Sequence, residues 1–155
     1  MDAWLELRAL MDIVLAMGLG GAIGFERETK DRPAGFRTHM LVAAAAALLV
    51  SVGRSMLDDP RFSTGEVTID PLRLVEAMIA GVAFIGAGTI FSRRGEDSIA
   101  GITTAASLLM VAIIGVTIGF RYYLLGTAAT VLTLLVLVAQ RWVERWRAGQ
   151  ETEEG

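Results

Sequence analysis

A chain of 155 residues with 54% hydrophobic residues and a mean hydropathy of +0.54 carries more apolar surface than one water-soluble core of that length needs. Its net charge of −3 is segregated into turns and tails, and its basic residues lack interleaved aromatics, so no nucleic-acid partner is expected. The absence of Cys excludes a disulfide framework, a thiolate metal site and a cysteine nucleophile.

In chain order, an amphipathic run from Trp4 leads into an apolar segment over 13–25, which ends at Glu26-Arg27-Glu28. Asp2 and Glu6 stand where a cleaved leader would be basic, so this first segment is read as a retained span. The second apolar segment, 39–52, is short for a bilayer core of about 30 Å and is expected to continue through Arg54 to Met56. An outer loop over 54–71 follows, then segments over 72–91, 99–118 and 122–142, and a charged tail over 143–155. No strand alternation is visible, and in hydrocarbon every backbone group must be bonded within its own segment. The expected fold is therefore all-α: a polytopic membrane domain over 1–142 with five transmembrane helices, and a short cytoplasmic tail.

The stretches 20–53 and 86–119 match when offset by 66 residues, with ten identities in 34 positions and no gap. Gly20, Phe25, Arg27, Asp31, Gly35 and Thr38 meet Gly86, Phe91, Arg93, Asp97, Gly101 and Thr104, among others. A duplicated helical hairpin is expected, with helices 1 and 2 in a repeat over about 12–53, helices 3 and 4 in one over about 78–119, and a fifth helix outside both. Nine Lys and Arg fall on the side of the two repeated turns and the C-terminus, against five on the other. The positive-inside bias then puts the N-terminus outside and the C-terminus in the cytoplasm.

The first repeated turn is the densest polar cluster. Glu26, Arg27, Lys30, Arg37, Thr38 and His39 gather at the start of the second span, and Thr103 and Thr104 lie at the matching depth in the second copy. Helix N-termini carry unpaired N–H groups and a positive partial charge, so two of them could frame one polar site at the cytoplasmic boundary. The alternative is that these charges pair with one another and with lipid phosphates. Gly20, Gly24, Gly81, Gly86, Gly88, Gly115 and Gly119 are read as close-packing positions, with helices 1 and 3 meeting through Gly20, Gly24, Gly86 and Gly88. Asp12, Asp70 and Glu76 are the candidate metal ligands, on the outer half, where convergence would suit Mg²⁺. No Gly-x-Ser-x-Gly, Walker-type or His-Glu-x-x-His motif occurs, so no catalytic residue, enzymatic activity or resident cofactor is expected.

Five segments in order carry a resemblance: Gly21 to Glu28, Ala34 to Val42, Asp70 to Arg73, Gly81 to Ile90 and Gly101 to Leu108. Together they resemble the MgtC/SapB family of membrane proteins, over about Ile13 to Gly119. The resemblance implies a bacterial inner-membrane protein of about five spans, linked to growth under magnesium limitation. It further implies action on other membrane machinery, the ATP synthase included. Two departures stand out: Ala100 and Leu109 replace the Arg and Trp common around the Thr103-Thr104 segment, and Glu76 stands where a neutral amide is frequent. Two functions are carried forward. One is a regulator or partner of membrane machinery, contacting lipid and either a second copy or another complex. The other is a Mg²⁺ transporter or channel, which needs a continuous polar route from Asp12, Asp70 and Glu76 outside to Glu26 inside, and between those ends the sequence offers mainly Gly, Ala, Ser and Thr.

Overall fold

In a computed structural model, residues 3–57, 70–91 and 98–151 are described. They form five α-helices: α1 (Ala3–Glu28), α2 (Phe36–Leu57), α3 (Pro71–Phe91), α4 (Ser98–Gly119) and α5 (Tyr123–Glu151). Four of them hold stretches long and apolar enough to cross a membrane, Ala3–Glu28, Phe36–Leu57, Pro71–Ile90 and Gly101–Gly119, and α5 adds the shorter apolar stretch Tyr123–Ala139. The all-α, five-helix expectation is met. The second repeated turn with Arg93, Arg94 and Asp97, the loop 58–69 and the last four residues lie outside the described residues.

Helix ends follow from local chemistry. α1 stops in a Schellman turn: Asp31 N–H donates to the Glu28 carbonyl at 3.0 Å, Arg32 N–H to that of Arg27 at 3.2 Å, and Asp31 takes the left-handed φ of 52°. α4 stops in the same way, with Arg121 N–H on Ile118, Tyr122 N–H on Thr117 and Arg121 at φ 66°. Asp70 caps α3, its Oδ1 accepting Leu72 N–H at 2.9 Å, and Pro71 fills the first helical position, where no N–H is needed. α1 begins ten residues before the expected span, because the Trp4 run and the apolar segment fuse into one helix. α5 runs past residue 142 into the expected tail, whose Glu, Arg, Trp and Ala are compatible with helix and include no Pro before Glu151.

α4 is the central helix and touches each of the other four. α2 packs on α1 and α4, and the core between them is aliphatic and small: Ala16, Ile23, Ala43, Ala47, Leu108, Val111, Ala112 and Ile114 are all fully buried. α3 is the most exposed span, lying against α4 and, less extensively, α2.

Glycine sets the helix spacing, but not between the helices expected. A Cβ on Gly20 would meet Ala43 Cβ and the His39 carbonyl at 2.7 Å, and one on Gly24 would meet Phe36 Cα at 2.8 Å, so α1 is pressed onto α2. Gly115 and Gly119 press α4 onto Ala43, Ala46 and Val50 of α2, and Gly86 faces Ala105 of α4. The expected contact of helices 1 and 3 through these residues is thus replaced by contacts to α2 and α4. Gly81 and Gly88 meet nothing within 4 Å, since both lie on the open side of α3. The two hairpins nonetheless make equivalent contacts. Gly20 lies against His39 and Gly86 against Ala105, Gly24 against Gly35 and Ile90 against Gly101, each pair offset by the 66 residues of the repeat.

Candidate functional site: two polar layers at the ends of the bundle

The first polar layer forms where α1 turns into α2. Glu26 and Arg27 are buried, 7% and 1% exposed, although they end a membrane span. Arg27 Nε donates to Glu26 Oε2 at 2.7 Å, and Lys30, one turn on, pairs with Glu26 Oε1. One carboxylate therefore answers two cations, and burial of such a group is tolerable only with partners of this kind. Lys30 Nζ also donates to the Leu137 carbonyl at 2.9 Å, tying the turn to α5 across 107 residues of chain. Glu28 supplies the cap that Gly35 cannot: its Oε2 accepts Phe36 N–H at 2.7 Å at the start of α2. A side chain on Gly35 would strike that same carboxylate at 2.8 Å.

His39 stands one turn into α2 and is fully buried. Its Nδ1 lies 2.9 Å from the Gly35 carbonyl and its Nε2 3.0 Å from Ser107 Oγ on α4. A carbonyl only accepts, so Nδ1 carries a proton. Ser107 Oγ also lies 2.8 Å from the Thr104 carbonyl and has one proton to give. If that proton goes to His39, the ring is neutral; if it goes to Thr104, the ring donates through Nε2 as well and is charged. The protonation of His39 and the hydroxyl orientation of Ser107 are one coupled state.

Of the residues expected at this face, Glu26, Arg27, His39 and Thr104 are buried together, Thr38 and Thr103 are half-buried, and Arg37 is exposed. The sequence reading missed Ser107, which has no match in the repeat: Leu41 stands at its counterpart in the first copy. Its signal was a hydroxyl one helical turn beyond Thr103 and Thr104, on the face of α4 turned to α2.

The second polar layer lies at the other end of the bundle. Asp12 is 4% exposed, accepts Tyr123 Oη–H at 2.7 Å and pairs with Arg121 Nε at 3.4 Å. Arg54 Nη1 donates to the Gly119 carbonyl at 3.2 Å, one of the terminal carbonyls α4 leaves open. The three expected metal ligands do not converge. Asp12 is held by α5 and the turn before it, Asp70 is spent on capping α3, and Glu76 is exposed on α3. Among the described residues, no three His, Asp or Glu side chains lie close enough together to hold a metal ion.

The chain matches the model of the MgtC family over residues 13–146. It is 41% identical over 128 residues to YhiD of Escherichia coli K12, covering 83% of this chain and 58% of that one. It is 35% identical over 132 residues to MgtC of Salmonella typhimurium LT2, covering 85% and 52%, and 38% identical over 149 residues to SrpB of Synechococcus elongatus, covering 92% and 79%. The chain thus spans little more than half the length of YhiD and MgtC. No solved structure matches it. On the strength of the family match and of these identities, the chain belongs to the MgtC family.

Proposed function

We propose that this is a multi-pass protein of the bacterial inner membrane, N-terminus outside and C-terminus cytoplasmic, that serves magnesium homeostasis as a regulator or partner of other membrane machinery. The link to magnesium draws on family membership and on YhiD, whose name proposes magnesium transport. The observation that carries the choice of regulator is the core between the two polar layers. There α1, α2 and α4 meet at backbone distance through Gly20, Gly115 and Gly119, and the space is filled by Ala, Val, Leu and Ile. A conducted Mg²⁺ keeps waters or needs oxygen ligands in octahedral array, and close backbone packing filled by aliphatic side chains supports the regulator over such a path. The exposed apolar faces of α3 and α5, with Phe84, Ile85, Leu132 and Val136, suit lipid and a membrane partner: a second copy or, as the resemblance suggests, the ATP synthase.

The test is Mg²⁺ uptake into sealed proteoliposomes containing inserted, folded protein, beside empty vesicles. Uptake equal to the empty control is expected, together with partners captured by cross-linking in native membranes. Uptake above the control, lowered in Glu26→Gln vesicles that hold an equal amount of folded protein, would overturn the regulator reading and make the protein a transporter.

A further inference from the structure

A cavity of 740 Å³ opens between the N-terminal half of α1 and the start of α5. That volume is within the usual range for small-ligand sites. Its walls change character along α1. Leu7, Met11 and Leu15, one helical turn apart on α1, supply an apolar stripe of its lining. Arg8 and Arg121 line the same cavity. Trp4 lies eight residues beyond Asp12, about 12 Å along the helix axis, and Arg8 lies over its ring at 5.2 Å. Trp and Tyr at this level are typical of a membrane–water boundary.

The charges favour an anion. Two arginines face one carboxylate, and that carboxylate, Asp12, already accepts from Tyr123 Oη and Arg121 Nε. The bond of Arg121 to Asp12 uses Nε, and among the described residues no partner takes its Nη donors, which can serve a second anion. Arg121 holds a left-handed backbone position, φ 66°, that glycine takes at no cost, and the strain of about 1 kcal/mol brings a cation to this wall. Two cations beside an apolar stripe match an amphiphile with an anionic head.

We propose that this cavity holds one anionic phospholipid, its phosphate between Arg8 and Arg121 and one acyl chain against Leu7, Met11 and Leu15. The lipid would fasten α1 to α5, which otherwise meet over a short contact.

The experiment is native mass spectrometry of delipidated protein in detergent, titrated with phosphatidylglycerol, phosphatidylcholine or inorganic phosphate. One phosphatidylglycerol per chain, retained at energies that strip the rest and preferred over phosphatidylcholine, is expected. Arg8→Gln, at an exposed position, should weaken retention about fivefold. Leu15→Trp, which adds bulk to the apolar lining from a position already 38% exposed, should abolish it with thermal unfolding unchanged. Equal retention by the wild type and both variants would overturn the proposal. Displacement of the lipid by inorganic phosphate would overturn it too and reassign the site to a free anion.

Discussion

Glu26 and Arg37 stand on either side of the same turn but carry different burdens. Glu26 is buried between Arg27 and Lys30, so Glu26→Gln leaves two cations facing a neutral amide. It should lower stability by about 3 kcal/mol, read as earlier thermal unfolding in detergent and reduced accumulation in the membrane. Arg37 is exposed, so Arg37→Ala should leave unfolding within about 0.5 kcal/mol of wild type, and any loss of function in that variant reports on a partner. At the opposite end, Tyr123→Phe removes the hydroxyl that Asp12 accepts from. The buried carboxylate then depends on Arg121 alone, and a loss of about 1 to 3 kcal/mol is expected in the same unfolding assay.

Between helices, backbone approach is the device that holds the bundle, because lipid supplies little hydrophobic drive for helix association. A Cβ at Gly115 would collide with the Ala43 carbonyl, which cannot move without displacing α2. Gly115→Ala should therefore cost about 1 to 3 kcal/mol and reduce accumulation. Gly88→Ala is the control: nothing lies within 4 Å of the added methyl, so stability should be unchanged or raised by up to about 1 kcal/mol through helix propensity. Equal loss from both substitutions would mean that glycine acts through the helix backbone and not through the α2–α4 contact.

For the whole molecule, the two polar layers lie at opposite ends of the bundle, where the proposed topology has the two faces of the membrane. The chain has no native Cys, so single cysteines report topology without background. Leu57→Cys, at the exposed end of α2, should react with a membrane-impermeant maleimide in intact spheroplasts. Arg37→Cys, at the start of the same helix, should react only after permeabilisation. The reverse pattern would invert the proposed orientation.

Length, apolar run and charge placement are local properties, and they determined the helix count, the all-α class, the duplicated pattern and the cluster near Glu26, because a bilayer permits few other solutions for such a chain. Helix neighbours were not legible in the same way. Gly20 and Gly86 match in the repeat, yet they face α2 and α4 and do not meet, because α4 occupies the centre and each hairpin closes on itself. Burial within the first turn was equally hidden: Arg37 and His39 are two residues apart, and the helical turn sends one to the surface and the other against Ser107. Asp12 read as a metal ligand because its partners, Arg121 and Tyr123, lie more than 100 residues away in sequence. Which small residue approaches which backbone, and which charge meets which partner, are long-range outcomes of packing, and only the tertiary structure decides them.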